Sequence, residues 1–96
     1  MTAYVIAEVE VTDPDAYKLY ADKAPSVTLP AGGKYLARAG HVESFEGEPP
    51  LSRVVVIEFE NLEKARAFYY GKAYQDIVPL RQAASKGRLF VVDGAK

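Results

Sequence analysis

Arg53-Val54-Val55-Val56-Ile57-Glu58-Phe59 is the stretch on which the fold turns. Four apolar β-branched residues in a row make it the strongest strand signal in the chain. Side chains on a strand alternate between faces, so an apolar run without alternation describes a strand buried on both sides. Leu89-Phe90-Val91-Val92 has the same character, and Tyr4-Val5-Ile6-Ala7 nearly does.

Outward from that strand, the other elements follow from their own signals. Before it, Gly47-Glu48-Pro49-Pro50 is a turn. Ahead of the turn, residues 34–39 (KYLARA) read as a strand that resumes over residues 42–45 after Gly40. After it, Asn61 caps a helix over residues 62–70, with Gly71 as the stop. Residues 72–85 can form a further helix, with Tyr74, Ile77, Leu80 and Ala84 on its apolar face and a kink at Pro79. Gly87 ends it, residues 89–92 form the last strand, and residues 93–96 are a tail. At the start of the chain, residues 4–11 form the first strand. Asp13 as N-cap, Pro14 at the first helical position and Asp15 in the first turn then open a helix. Tyr17, Tyr20, Ala21 and Ala24 keep helical spacing. Pro25 kinks or ends this helix, with a looser turn to about Leu29, before Pro30-Ala31-Gly32-Gly33 closes the element.

The order β-α-β-β-α-β is that of a split βαβ, ferredoxin-like sandwich: an α+β fold with a four-stranded antiparallel sheet and its helices on one face. Ninety-six residues make one such domain over residues 1–96. Two helices cover only one face of the sheet, so exposing the apolar runs on the other would leave a patch larger than monomers carry. A second copy packed sheet against sheet about a two-fold axis removes it, and the expected partner is the chain itself. The competing arrangement folds residues 40–52 over the open face, at the cost of burying polar loop backbone.

Composition narrows the function. Charged residues are 26%, hydrophobic ones 49%, and the formal net charge is −1. Lys and Arg are scattered, which argues against nucleic acid as a partner. The chain has no cysteine, which excludes disulfides, a thiolate nucleophile and cysteine-based metal sites. No apolar run approaches the ~18 residues of a membrane span, and Glu8 interrupts the N-terminal run too early for a signal peptide. The expected location is the cytoplasm, with no membrane partner.

The segments YVIAEVEVTDPDAY, GGKYLARAG, RVVVIEFENLEKARAFY and AYQDIVPLRQAASKGRLFVVDG, in that order over nearly the whole chain, resemble a widespread bacterial family, the domain of unknown function numbered 1330. The resemblance implies the dimeric α+β barrel superfamily, whose members pair sheet to sheet. That superfamily includes cofactor-independent monooxygenases, muconolactone isomerase-like enzymes, haem-handling enzymes and regulatory ligand-binding domains, and fold does not choose among them.

The candidate site residues come from the strands and the aromatic positions. With strand one beside and parallel to strand three, Glu8 lies next to Glu58, and two carboxylates in one partly buried site raise the pKa of one of them. Glu8 and Glu58 are thus candidate proton-transfer groups, with a solvated or salt-bridged pair as the alternative. Arg38 pairs with Glu58 or holds a carboxylate ligand if it shares that face, and is a rim charge otherwise. His41, the one histidine, follows Gly40 at a bend or bulge and has the intrinsic pKa for proton transfer. No spacing supports a metal site, and no cofactor is expected. Seven tyrosines are many for this length. Tyr17 and Tyr20 share a helix face. Tyr69 or Tyr70, with Tyr74, Tyr35 and Arg81, are the candidates to line a cleft between sheet and helices suited to a small aromatic or carbonyl ligand; the alternative is that the tyrosines are boundary residues of a small core and Arg81 a surface charge. The expected function is a cofactor-independent small-molecule enzyme, acting by proton transfer or in the manner of an oxygenase or isomerase. The alternative is a non-catalytic ligand-binding or regulatory homodimer.

Overall fold

The computed structural model describes residues 1–95. The elements are β1 (Ala3–Val11), α1 (Pro14–Thr28), β2 (Lys34–Arg38), β3 (Arg53–Phe59), α2 (Leu62–Tyr70), α3 (Lys72–Gln75), α4 (Val78–Ala84) and β4 (Ser85–Asp93). They build a ferredoxin-like α+β sandwich with sheet order β2-β3-β1-β4. Its 35 × 33 × 16 Å extents are those of one sheet under one layer of helices.

Local chemistry sets the helix starts. The Asp13 carboxylate accepts from the Ala16 N–H at 3.1 Å, and the Asn61 side-chain oxygen accepts from the Lys64 N–H at 2.9 Å. Pro25 does not end α1, which runs on to Thr28 with the Leu29 N–H reaching the Pro25 carbonyl. A proline supplies no N–H to the carbonyl four residues back, here that of Ala21. The Arg38 guanidinium fills the vacancy, its Nη2 donating to the Ala21 oxygen at 2.9 Å. The expected helix over residues 72–85 divides into α3 and α4, and Pro79 lies in the first turn of α4. Residues 42–45 form no strand, and β4 begins at Ser85. Gly87 lies inside β4, where an added Cβ would run into the Glu8 carbonyl of the neighbouring strand.

One sequence expectation is corrected outright. β1 and β3 pair antiparallel, not parallel, with Tyr4 opposite Glu58, Ile6 opposite Val56 and Glu8 opposite Val54. In the split βαβ arrangement β3 returns between β1 and β2, so it must run against both. Glu8 and Glu58 therefore sit at opposite ends of the sheet, about 13 Å apart along the strands.

The core lies between sheet and helices. Ala3, Val5, Ile57 and Phe59 are buried on the helix side of the strands, against Ala24, Ala65, Phe68, Tyr74 and Val78, and Val9 is buried on the same side beside Tyr17 and Ala84. A smaller cluster forms around Ala7, Tyr17 and Ala84, and Tyr20, Val55 and Leu89 pack against both clusters.

Candidate functional site

Between these two clusters the packing leaves a cavity of about 30 Å³, room for a water or two. Tyr17 and Tyr20 reach it from α1, Tyr35 and Arg38 from β2, Arg53 from β3, Tyr74 from α3 and Arg81 from α4, over an apolar floor that includes Val5, Val55 and Leu89.

The face taken by Arg38 is set by an irregularity in β2. Tyr35 lies opposite Ile57 on the helix side, the register then slips, and Ala37 and Arg38 lie opposite Val56 and Val55. The extra residue is Leu36, so the bulge falls earlier than the bend expected at Gly40. It turns Arg38 toward the helices, away from Glu58. The guanidinium sits 5.0 Å from the Tyr35 ring centroid, and Arg53 sits 5.2 Å from that of Tyr17.

The Tyr20 and Tyr74 hydroxyls are 2.7 Å apart, and either can donate. Burial pushes the pKa of both phenols above the ordinary value. The neighbouring Tyr74 raises Tyr20 further, and the opposing pull of Arg81 on both does not cancel the desolvation. Both hydroxyls stay protonated at neutral pH and act as hydrogen-bonding groups. Tyr35 donates to the buried Thr28 hydroxyl at 3.1 Å, and Thr28 donates to the Ala24 carbonyl at 2.8 Å. The buried Nε atoms of Arg53 and Arg81 have no hydrogen-bond partner.

The structure thus brings together Tyr35, Arg38, Tyr74 and Arg81 of the residues expected from the sequence. Tyr69 is one step removed, its ring 5.7 Å from that of Tyr74 but outside the cavity lining. Glu8, His41 and Glu58 lie elsewhere. Glu8 is on the open face, bonded by Arg88 at 3.1 Å and by the Leu51 N–H at 3.3 Å. His41 is exposed and lines a shallow depression beside Glu8 with Val42, Pro50 and Val54. Residues 40–52 therefore cover only this end of the open face. Glu58 is at the far end, between Tyr4 and Lys34 in the register. The expected cluster of Glu8, Arg38 and Glu58 does not form, because the pairing direction separates the glutamates and the bulge reverses the arginine. Among the described residues no group of three His, Asp or Glu side chains is set to hold a metal ion. No helix among them is long and apolar enough to cross a membrane.

Arg53 was not among the expected site residues. Its signal is in the alternation of β3: Phe59, Ile57 and Val55 face the helices, and one further step of two along the same face reaches Arg53.

Architecture and cavity define the class as a ferredoxin-like α+β protein with a tyrosine- and arginine-lined space under its helices. Solved structures share the fold. A protein of unknown function from Rhodopseudomonas palustris, RPA0582, superposes with TM-score 0.78 at 20% identity, covering 99% of this chain and 83% of its own. SnoaB, a cofactor-independent oxygenase from Streptomyces nogalater, gives 0.70 at 7% identity, covering 99% and 94%. A dimeric ferredoxin-like protein of unknown function from Jannaschia sp. CCS1 gives 0.69 at 12% identity, covering 100% of both chains. No curated protein matches. The chain belongs to the domain of unknown function family DUF1330, whose model matches residues 2–95.

Proposed function

We propose that this chain takes up a small organic molecule between sheet and helices and turns it over without a metal or nucleotide, in the manner of an oxygenase or isomerase. One observation carries the reading: tyrosines from three elements and arginines from three elements meet on one enclosed, mainly apolar space. An apolar pocket with a few convergent polar groups is the usual form of a small-molecule site. The fold of SnoaB supports the reading as a scaffold only, since function resides in sites and not in folds. On this reading Tyr35, Arg38, Tyr74 and Arg81 bind the ligand, joined by Arg53 and Tyr20. Arg38 is exposed, so its side chain can give way as the cavity, which now has room for a water or two, widens around a ligand.

A second reading, a non-catalytic ligand-binding dimer, is favoured by the Tyr20 and Tyr74 hydroxyls, whose raised pKa removes them as bases at neutral pH. One experiment separates the two. The protein is incubated in air with a panel of phenolic and carbonyl compounds, and binding and product are followed by calorimetry and mass spectrometry. Product that disappears with Arg81→Gln supports the enzyme. Binding without product supports the second reading, and no binding overturns both.

The open face of the sheet supports a homodimer. Ile6, Val54 and Val56 are half-buried there, and Phe90 and Val92 are 41% and 45% exposed. Glu8, His41 and Glu58 then lie at or beside the dimer interface, where their proposed part is in fixing the pairing. The cysteine-free sequence suits a reducing cytoplasm as the compartment.

A further inference from the structure

The cavity also names a ligand class, an inference that rests on the function proposed above. Arg38, Arg53 and Arg81 bring three fixed positive charges to its lining, and no Asp or Glu is among the lining residues. The ion pairs of the described residues are Lys18–Asp22, Lys72–Asp76 and Arg88–Glu8, and none engages these arginines. Arg38 bonds a neutral carbonyl, while the buried Nε atoms of Arg53 and Arg81 bond nothing. Positive charge gathered in apolar surroundings without a counter-charge is costly, and an anion in the cavity relieves the cost. The Tyr20–Tyr74 pair uses one hydroxyl proton between its two oxygens and leaves the other free to donate. The surrounding rings favour a flat, conjugated body.

The approach is positive as well. A surface depression shares Arg81 and Leu89 with the cavity and carries Lys86, Gln82 and Arg88, the last paired with Glu8, on its walls. Such a lining concentrates anions at the entrance.

We propose that the cavity, widening from its present room for a water or two, takes a small conjugated oxyanion, an aromatic carboxylate or a phenolate or enolate, which enters past Arg81 and Leu89 from the basic depression. The guanidinium charges favour the anion of a bound phenol or enol, and on this proposal that pull from three arginines exceeds the burial that keeps the Tyr20 and Tyr74 hydroxyls protonated beside them. Arg81, common to cavity and entrance, both draws the anion in and holds it.

The test uses the intact chain and three probes of similar size: 4-nitrophenol, benzoate and nitrobenzene. 4-Nitrophenol is titrated with protein just below its own pKa while the visible phenolate band is followed, and calorimetry compares all three. The expected result is growth of the phenolate band, competition by benzoate and negligible binding of nitrobenzene. Arg81→Gln and Arg53→Gln each weaken anion binding about tenfold, or ~1.4 kcal/mol, and Arg81→Lys recovers part of the loss. If either glutamine variant fails to fold, the exposed Arg38→Gln serves in its place, with the same expected loss. Benzoate binding with 4-nitrophenol held only in its neutral form assigns the carboxylate arm of the proposal. A growing phenolate band without benzoate binding assigns the phenolate arm. Nitrobenzene binding as tightly as the anions, unaffected by the arginine variants, overturns the anion class and leaves the cavity's function standing. Binding of none of the three overturns both.

Discussion

On its helix side the sheet presents Ala3, Val5, Val9, Ile57 and Phe59, all buried. On its other side it presents Tyr4, Ile6, Val54, Val56, Phe90 and Val92, none of them buried. The two surfaces are alike in composition and opposite in circumstance, because the chain has helices for one and no second layer for the other. Their charges differ too. The open side sets carboxylates near cations, as in Glu8 with Arg88 and Glu58 opposite Lys34. The helix side gathers Arg38, Arg53 and Arg81 with no carboxylate. The difference teaches that the open side is balanced within the chain and lacks only apolar cover, whereas the helix side has its cover and lacks a counter-charge.

The comparison can be broken from either side. Phe59→Ala removes a ring that is fully buried and 5.0 Å from Phe68. It should cost about 3–5 kcal/mol in denaturant unfolding. A loss below about 1 kcal/mol would show that the core is not where the contacts place it.

Val56→Asp puts an unpaired charge at the centre of the open face. The proposed dimer should weaken at least about 100-fold by light scattering, with the circular dichroism of the fold retained. A variant that keeps twice the chain mass at low concentration would refute pairing through this face.

Tyr20→Phe leaves the Tyr74 hydroxyl without its partner and should cost about 1–2 kcal/mol. It also carries a pH signature. The folded-state pKa values of Tyr20 and Tyr74 are raised, so their contribution is complete below the unfolded phenol value near ~10 and is lost as pH climbs beyond it. The unfolding midpoint should therefore hold from neutrality to about pH 10 and fall above that. The fall should be shallower in Tyr20→Phe, and an identical alkaline profile would remove these hydroxyls from the account.

The smallest change is expected from Glu8→Gln. Its partner Arg88 is largely exposed, and such pairs contribute at most about 1 kcal/mol. A larger loss would mean that Glu8 does more than pair with Arg88 and the Leu51 amide.

The segments that were legible are those governed by local rules. Asp13 and Asn61 cap their helices as their side chains dictate, and the apolar run of β3 marks a strand buried from both sides. Pro25, expected to kink or end the helix before a looser turn to about Leu29, leaves it running to Thr28 because the remedy for its missing N–H comes from Arg38, outside the helix. The strand expected over residues 42–45 does not form, because in the register that sets Arg38 opposite Val55 it would run past the start of β3 onto Pro49 and Pro50, which have no N–H to give. Glu8 and Glu58 would be neighbours only if β1 and β3 ran parallel, and the apolar runs of two strands match in either direction.

By itself the sequence determined the element order, the helix caps and the surplus of apolar strand surface that helices on one face cannot cover, because these follow from backbone preference and period-two alternation. Tertiary structure alone decided which polar residues meet. The antiparallel return of β3 parts the two glutamates, the bulge at Leu36 turns Arg38 under the helices, and the seam between two small clusters leaves the space that Arg53 and Arg81 line. Strand direction, register slips and packing gaps depend on contacts between residues far apart in the chain, and those contacts exist only once the chain has folded.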